Sequence, residues 1–285
     1  METERVMNFL KSNYLYLIGS FLYFIFSCLM LGGRWYSFII CLALYAVSIV
    51  IAFSPVGEWL IRAINHVRPI ETKEEKGQLI ALFNEVYRTA KEKHPDLPYI
   101  RLYIQDTMTV NACAINSHTI AVTKGAMETF NEDELKGILF HEIAHIYYGH
   151  TAMSLLATIG NGIFSIFVLI TRFLMLLLDS ISDSQQDRGF GHFLFSICRF
   201  ILEATLFIFM LFFNIAFAVN SRSGEYMADK FAFDNGYGQD LVDALYILQR
   251  MSLGDNSSLV DQMTASHPRI SKRIMTLEAL LDGVN

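Results

Sequence analysis

Charged residues are scarce in this chain of 285 residues: they make up 18% of it, whereas apolar residues make up 53%. The mean hydropathy is +0.36. A soluble domain usually carries about 25% charged residues, so much of the surface is expected to face something other than water. Basic residues are not in excess either, because the formal net charge is -6. This balance gives no reason to expect nucleic acid as a partner.

Cysteine is also rare, and its distribution does not favour a disulfide framework. The four residues are Cys28, Cys41, Cys113 and Cys198; three lie in very apolar stretches and none belongs to a CxxC pair. This usage is typical of a reducing compartment. The sequence has no internal repeat and no low-complexity segment. Its length suits one sizeable domain or two small ones.

Long apolar runs are abundant instead, and they occupy residues 14–31, 36–53, 153–178 and 193–219. A membrane-crossing helix needs about 17–25 mainly apolar residues, so each run is long enough to span a bilayer. The first run could be a cleaved signal peptide, but it lacks a clear small-residue cleavage site. A second run follows at once, which favours a retained helical hairpin. The sequence therefore predicts four transmembrane helices.

Four spans divide the chain into a transmembrane hairpin at 1–53, a first soluble part at 54–151, a second hairpin at 152–219 and a second soluble part at 220–285. Both soluble parts and the N-terminus then lie on one side of the membrane. Basic residues near the spans are more frequent on that side, which predicts that it is cytoplasmic. The two sets compared are Arg5, Lys11, Arg62, Arg68, Lys73, Lys136, Arg222 and Lys230 against Arg34, Arg172, Arg188 and Arg199.

The first soluble part combines helices with short strands. Residues 71–93 have the period of an amphipathic helix that ends before His94 and Pro95. Residues 101–105 and 119–123 have the composition of strands. Asn131 and Glu134 form a capping box that opens a further helix. The expected fold class is a mainly helical α+β integral membrane protein with a small sheet.

The helix that begins after Asn131 carries the sequence HEIAH. His141 and His145 are four residues apart, so they project from one helical face and can reach one metal ion. Glu142 points about 100° away and can instead act on a water at the open coordination position. This is the pattern of a zinc-peptidase helix, although HExxH also occurs by chance in unrelated helices.

A second acidic pair follows the fourth apolar run. Glu225 and Asp229 are again four residues apart, which suits Glu225 as a third metal ligand and Asp229 as an acceptor for a ligand imidazole. A lone ExxxD is otherwise an ordinary solvated face. His150 is five residues past His145 and is therefore turned about 140° from the ligand face, so it is interpreted as a helix-end residue and not as a ligand.

Four segments in this order resemble the HtpX-like membrane zinc peptidases, which are related to the CAAX prenyl proteases. The segments are NACA at 111–114, HEIAH followed by GH at 149–150, SRSGEYMAD at 221–229 and SHPRISKRI at 266–274. The two apolar runs between the helices that carry the candidate ligands also match that family. Asn116 departs from the pattern, because relatives often have glycine there.

The resemblance implies a zincin-like catalytic domain with one zinc ion held by His141, His145 and Glu225, and with Glu142 as general base. It implies that Asn111, Ala112, Cys113 and Ala114 form an edge strand along which an extended substrate binds, a mode that unpaired backbone groups permit. It places His267 and Arg273 near the substrate; His267, before Pro268, could equally be a structural cap. It also implies a multi-pass protein of a bacterial-type inner membrane that cleaves membrane or misfolded polypeptides, as in protein quality control and the stress response.

Three alternatives remain open at this stage. CAAX-type processing of prenylated proteins is the runner-up, although it belongs to longer relatives with more spans. A catalytically inactive scaffold is opposed by the presence of all three ligands and the glutamate. A zinc transporter would hold its ligands within the apolar spans, whereas both ligand helices here lie outside them.

Overall fold

The computed structural model of the chain describes residues 2–30, 33–64, 66–72, 76–155, 170, 173, 177, 190–251 and 268–283. The third predicted span, 153–178, lies largely outside the described residues. The predicted substrate-binding residue His267 lies outside them entirely. The described part is mainly helical with one small mixed sheet, which confirms the predicted class at that level.

Three helices open the chain. They are α1 (Glu2–Met30), α2 (Trp35–Phe53) and α3 (Pro55–Ile64). Within the described ranges, one helical segment, Phe9–Phe26 in α1, is long and apolar enough to cross a membrane, and Trp35–Ile51 in α2 is a shorter apolar helix. Their large apolar side chains are widely exposed, for example Phe21, Phe38 and Val50. The count of four spans therefore stays a prediction.

A four-stranded sheet follows. Its strands are β1 (Val67–Arg68), β2 (Arg101–Gln105), β3 (Ala112–Asn116) and β4 (Thr119–Thr123), in the order β1-β2-β4-β3. β2 pairs with β4 in parallel, and the pairs β1–β2 and β3–β4 are antiparallel. β2 and β4 have the bounds expected from the sequence. β4 is fully buried in the centre of the sheet, whereas β3 lies at an edge.

The remaining soluble helices pack around this sheet. A π-helical turn (Lys76–Ile80) leads into α4 (Ala81–Lys93), and α5 (Lys124–Thr129) precedes α6 (Glu132–Tyr147). The α6 helix begins with the predicted capping box: Glu134 N–H donates to Asn131 Oδ1 at 2.9 Å, and Asn131 N–H donates to Glu134 Oε2 at 2.8 Å. Ten of its residues are buried, so α6 is the central helix of the core.

The last three helices are α7 (Phe190–Asp234), α8 (Gly238–Met251) and α9 (Ile270–Leu281). α7 runs without interruption for 45 residues through the boundary predicted at residue 219. The apolar run and the segment that carries Glu225 are therefore one continuous helix. α8 packs on α6, and the backbones of Gly137 and Leu241 come so close that a Cβ at Gly137 would lie 2.6 Å from Leu241 N.

The N-terminal helix also contacts the end of α6. Ser12 Oγ and Asn13 Nδ2 donate to the carbonyl oxygen of Tyr148, at 3.3 and 3.0 Å, and both side chains are buried. Tyr16, on the next turn of α1, packs edge-on against Phe217 of α7 with ring centroids 4.8 Å apart. These contacts satisfy a helix-end carbonyl that α6 itself cannot satisfy. The apolar N-terminal helix is thereby attached to the end of the central core helix.

Gly149 is the point of closest approach between these two parts. Its φ is +73°, and a Cβ there would lie 2.6 Å from two ring carbons of Phe9. Gly149→Ala should therefore cost about 1–2 kcal/mol in left-handed backbone strain and also displace the Phe9 ring. Gly236 has a φ of +94° and nothing within 4 Å of its would-be Cβ, so Gly236→Ala carries the strain alone.

We expect the apparent Tm of Gly149→Ala in detergent to fall below that of Gly236→Ala by at least about 3 °C. Thermal unfolding followed by circular dichroism measures the difference. Equal losses in the two variants would contradict the contact between α1 and the turn after α6.

Candidate metal centre

Three side chains from two helices converge at the centre of the soluble core. His141 and His145 lie one turn apart on α6, and Glu225 comes from α7. His141 Nε2 and His145 Nε2 are 3.2 Å apart; Glu225 Oε2 is 3.4 Å from the first, and Glu225 Oε1 is 3.5 Å from the second. The capping box fixes where α6 begins, and burial of α6 fixes which face meets α7.

These spacings suit a tetrahedral metal ion. Bonds of about 2.0–2.1 Å to nitrogen and oxygen put the ligand atoms of a tetrahedral zinc site about 3.3 Å apart. Two imidazoles and one carboxylate are also the donor set of a catalytic zinc site that keeps one position open. The residues present therefore fit zinc in their donor chemistry, their ligand atoms lie within 4.8 Å of one another, and all three are buried or nearly so.

Behind His141 lies a buried ionic network. Asp229 Oδ1 is 2.9 Å from His141 Nδ1, and Arg273 of α9 donates two hydrogen bonds to Asp229, from Nε at 2.8 Å and from Nη2 at 2.6 Å. Arg273 Nη1 also lies 2.9 Å from Glu225 Oε2. Asp229 therefore orients one candidate ligand, and Arg273 connects Asp229 with another. Arg273 and the His141 contact keep the pKa of Asp229 below its ordinary value despite burial.

The pKa values of the two histidines are shifted in opposite directions. Burial and Arg273 act to lower the pKa of His141, but hydrogen bonds to Asp229 and Glu225 raise it to about 9. Burial, together with neighbouring His141, lowers the pKa of His145 well below its ordinary value. A metal-binding histidine must be neutral. Metal binding therefore requires His141 to lose a proton, whereas the low pKa of His145 favours its neutral form.

Glu142 faces the sheet edge. Its Oε2 accepts a hydrogen bond of 2.7 Å from the backbone N–H of Ala114 in β3, and the side chain is buried. Burial raises the pKa of Glu142 to about 7; His141 and the Ala114 N–H act in the opposite direction. A carboxylate with such a pKa can both accept and return a proton near neutrality.

A cavity of about 570 Å³ connects the three candidate ligands with β3. The predicted substrate-binding residues Asn111, Ala112, Cys113 and Ala114 line it, as does Glu142. Part of the cavity wall is apolar and is formed by Leu241, Leu245, Leu248, Phe130 and Ile138. The structure thus brings the predicted ligands, the predicted base and the predicted edge strand to one space.

Arg273 and Asn116 were also singled out in the sequence, the first as a predicted substrate-binding residue and the second as a departure from the family pattern. Arg273 lines the cavity, but its guanidinium is occupied by Asp229 and Glu225, so the contacts that it makes are with the site itself. Asn116, which departs from the family pattern, accepts a hydrogen bond of 2.8 Å from His118 N–H through Oδ1. This bond closes the turn from β3 to β4, beside the irregular register between Ala114 and Asn116.

Sequence reasoning missed His150. Its Nδ1 lies 3.0 Å from His145 Nδ1, and the residue is buried on the cavity wall. The helical projection that turned His150 away assumed a continuous helix, whereas α6 ends at Tyr147 and Gly149 has a φ of +73°. The glycine at 149 was the available signal. Tyr16 of α1 also lines the cavity, and no local pattern indicates this.

The model of peptidase family M48 matches residues 73–281, which is more than half of the chain. The protease HtpX homolog of Bacteroides fragilis (strain YCH46) is 29% identical over 172 residues, which cover 60% of this chain and 51% of the relative. The protease HtpX homolog of Desulfotalea psychrophila is 28% identical over 244 residues, covering 79% and 82%.

Among solved structures, the crystal structure of S. mikatae Ste24p is similar with a TM-score of 0.47 and 20% sequence identity. The match covers 95% of this chain and 64% of that protein. The chain spans about half the length of the Bacteroides fragilis relative that it matches.

Proposed function

Because the chain belongs to peptidase family M48, we propose that it is a membrane-bound zinc metalloendopeptidase that hydrolyses peptide bonds. The observation that carries the proposal is the convergence of His141, His145 and Glu225 in a ligand triangle, whose atoms all lie within 4.8 Å of one another, with Glu142 on the same cavity. His141, His145 and Glu225 would hold one zinc ion. Bound zinc would act as a Lewis acid on a carbonyl and would lower the pKa of a water molecule to about 7.

Glu142 has the proton-transfer role. Its carboxylate takes a proton from the attacking water and afterwards delivers it to the nitrogen of the departing amine. The Ala114 N–H holds Oε2 of this carboxylate at 2.7 Å, which limits its rotation and keeps it on the cavity wall. Burial keeps the carboxylate basic enough to accept the proton.

Substrate binding is assigned to the free edge of β3. The N–H and carbonyl of Asn111 both bond to Thr123, toward β4. Backbone groups alternate in direction along a strand, so those of Ala112 and Ala114 face away from β4, and the Ala114 N–H does reach Glu142 on that side. An extended peptide could pair there as an added strand and pass the general base.

The location of the reaction follows the predicted topology. Two N-terminal spans at 1–53 and two further spans at 152–219 would place the catalytic parts at 54–151 and 220–285 on the cytoplasmic side of the membrane. The exposed apolar faces of α1 and α2 support contact with a lipid bilayer. Membrane proteins and misfolded polypeptides near the bilayer are the proposed substrates.

The test is a combined measurement of metal and cleavage. Protein purified in detergent should contain one zinc ion per chain and should cleave an unfolded polypeptide such as casein. A chelator should stop the cleavage, and added zinc should restore it. A zinc-loaded preparation that cleaves no member of a diverse peptide library would instead identify an inactive scaffold.

Asp229→Ala should weaken zinc binding about 10- to 100-fold, because partners of this kind orient a ligand imidazole and raise its basicity. In this variant Arg273 loses its contact with Asp229 and keeps its contact with Glu225. Competition with a chromogenic chelator measures the affinity. Asp243→Ala, an exposed residue of α8, is the matched control; similar affinity in the two variants would contradict the orienting role.

A further inference from the structure

His150 lies on the outer side of the ligand His145. We infer that His150 is a positioning residue: its Nδ1 accepts the Nδ1–H of His145 and so turns Nε2 of His145 toward the metal position. The inference rests on the proposed zinc site and adds a residue to it.

Each of the two ligand histidines has a partner at its second ring nitrogen. Each uses Nε2 within the ligand triangle, where the two atoms are 3.2 Å apart. Nδ1 of His141 then meets Asp229 at 2.9 Å, and Nδ1 of His145 meets His150 at 3.0 Å. A metal-binding histidine almost always donates its second N–H to an oriented acceptor. Asp229 supplies that acceptor for one ligand, and His150 supplies it for the other.

The number of protons on two neutral imidazole rings fixes the direction of the hydrogen bond between His145 and His150. A neutral imidazole has one N–H and one acceptor nitrogen. If Nε2 of His145 binds a metal through its lone pair, the proton of His145 must be on Nδ1, which makes it a donor. Nδ1 of His150 must then be the acceptor, and the proton of His150 is assigned to Nε2.

The contact excludes His150 as an additional metal ligand in this arrangement. Its Nδ1 faces the Nδ1 side of the His145 ring, which is opposite to the Nε2 side that joins the triangle. Within the described ranges, His150 Nε2 is buried and has no hydrogen-bond partner, so Nδ1 is the atom through which the ring is engaged.

The surroundings hold His150 in place. Gly149 gives the chain the left-handed turn that brings His150 back toward α6. Gly224, the residue before Glu225, lies against the ring: a Cβ there would be 3.2 Å from both Cε1 and Nδ1 of His150. The ring is therefore fitted between a ligand of α6 and the backbone next to a ligand of α7.

The test compares His150→Asn with His150→Leu. Asn and Leu have nearly the same shape, and Oδ1 of Asn can occupy the position of the His150 Nδ1 acceptor, whereas Leu has no acceptor. The zinc dissociation constant is measured by chelator competition, and ligand geometry is followed in the visible spectrum of the Co²⁺-substituted protein. Thermal unfolding in the presence of chelator checks that both variants are folded. If His150→Leu does not fold, His150→Ala replaces it.

We expect the variant without an acceptor to bind zinc about 10- to 100-fold more weakly and to change the Co²⁺ spectrum. His150→Asn should stay within about threefold of the parent, with the parent spectrum, because the acceptor is kept. Unchanged affinity in both variants would overturn the inference, and so would equal loss in both, which would mean that ring packing and not the acceptor matters. A parent protein that binds zinc but cleaves no peptide would contradict the proposed function alone. A parent protein that binds no zinc would contradict both the proposed function and the role of His150.

Discussion

Glu142→Gln is expected to lower kcat by about 10²- to 10⁴-fold while zinc remains bound at one ion per chain. The amide has the size of the carboxylate and can still accept the 2.7 Å hydrogen bond from Ala114 N–H through its oxygen. It cannot take a proton from water, so the step assigned to Glu142 is lost and the ligand triangle is kept. Peptide cleavage under saturating substrate, together with metal analysis of the same sample, measures both quantities.

The control for this result is Glu132→Gln. Glu132 is exposed in the first turn of α6, on the same helix but away from the cavity around the ligands. It should retain the parent activity. Cleavage by Glu142→Gln at the parent rate would remove Glu142 from the mechanism, and loss of zinc in that variant would show that its effect is not on proton transfer.

Glu225→Ala is expected to abolish both zinc binding at micromolar concentrations and cleavage. The substitution removes one of the three donor atoms and leaves the two histidines as a bidentate site, whereas catalytic zinc sites have three protein ligands. It also removes the carboxylate that lies 2.9 Å from Arg273 Nη1. A buried arginine that has lost one partner is costly, so the apparent Tm should fall as well.

Asp234→Ala provides the comparison on the same helix. Asp234 is exposed and pairs with Lys230 at 2.9 Å, a surface ion pair expected to contribute about 0–1 kcal/mol. This variant should bind zinc and cleave peptides like the parent. If Glu225→Ala kept full zinc occupancy, the third ligand would have to be another residue.

The parts of the fold that depend on neighbouring residues were predictable from sequence. The bounds of β2 and β4 follow from their runs of β-branched and apolar residues, and the start of α6 follows from Asn131 and Glu134. His141 and His145 come from the same helical period. Each of these patterns lies within a few residues, so the local chain is sufficient to specify it.

Features that depend on distant residues were not predictable in the same way. Glu225 was suggested by its spacing from Asp229 and by the resemblance of its segment to a known family, and the meeting of Asp229 with Arg273 depends on how α7 and α9 pack. His150 was predicted as a helix-end residue and does follow the end of α6, but its contact with His145 depends on the turn at Gly149, which a continuous helical projection does not include. Tyr16 reaches the cavity through the packing of α1 on α7, which no period in the sequence of α1 reveals.

The residues that line the cavity are far apart in the sequence, and this separation affects when the site can form during translation. Tyr16, Glu142 and Arg273 border one space, although more than 100 residues separate each of them from the next along the chain. At about 5–20 residues per second, Glu225 follows Tyr16 by roughly 10–40 s. A nascent chain lacks a complete set of metal ligands throughout that interval. We therefore expect the proposed peptidase activity to begin only after Glu225 has been synthesised and α7 has packed on α6.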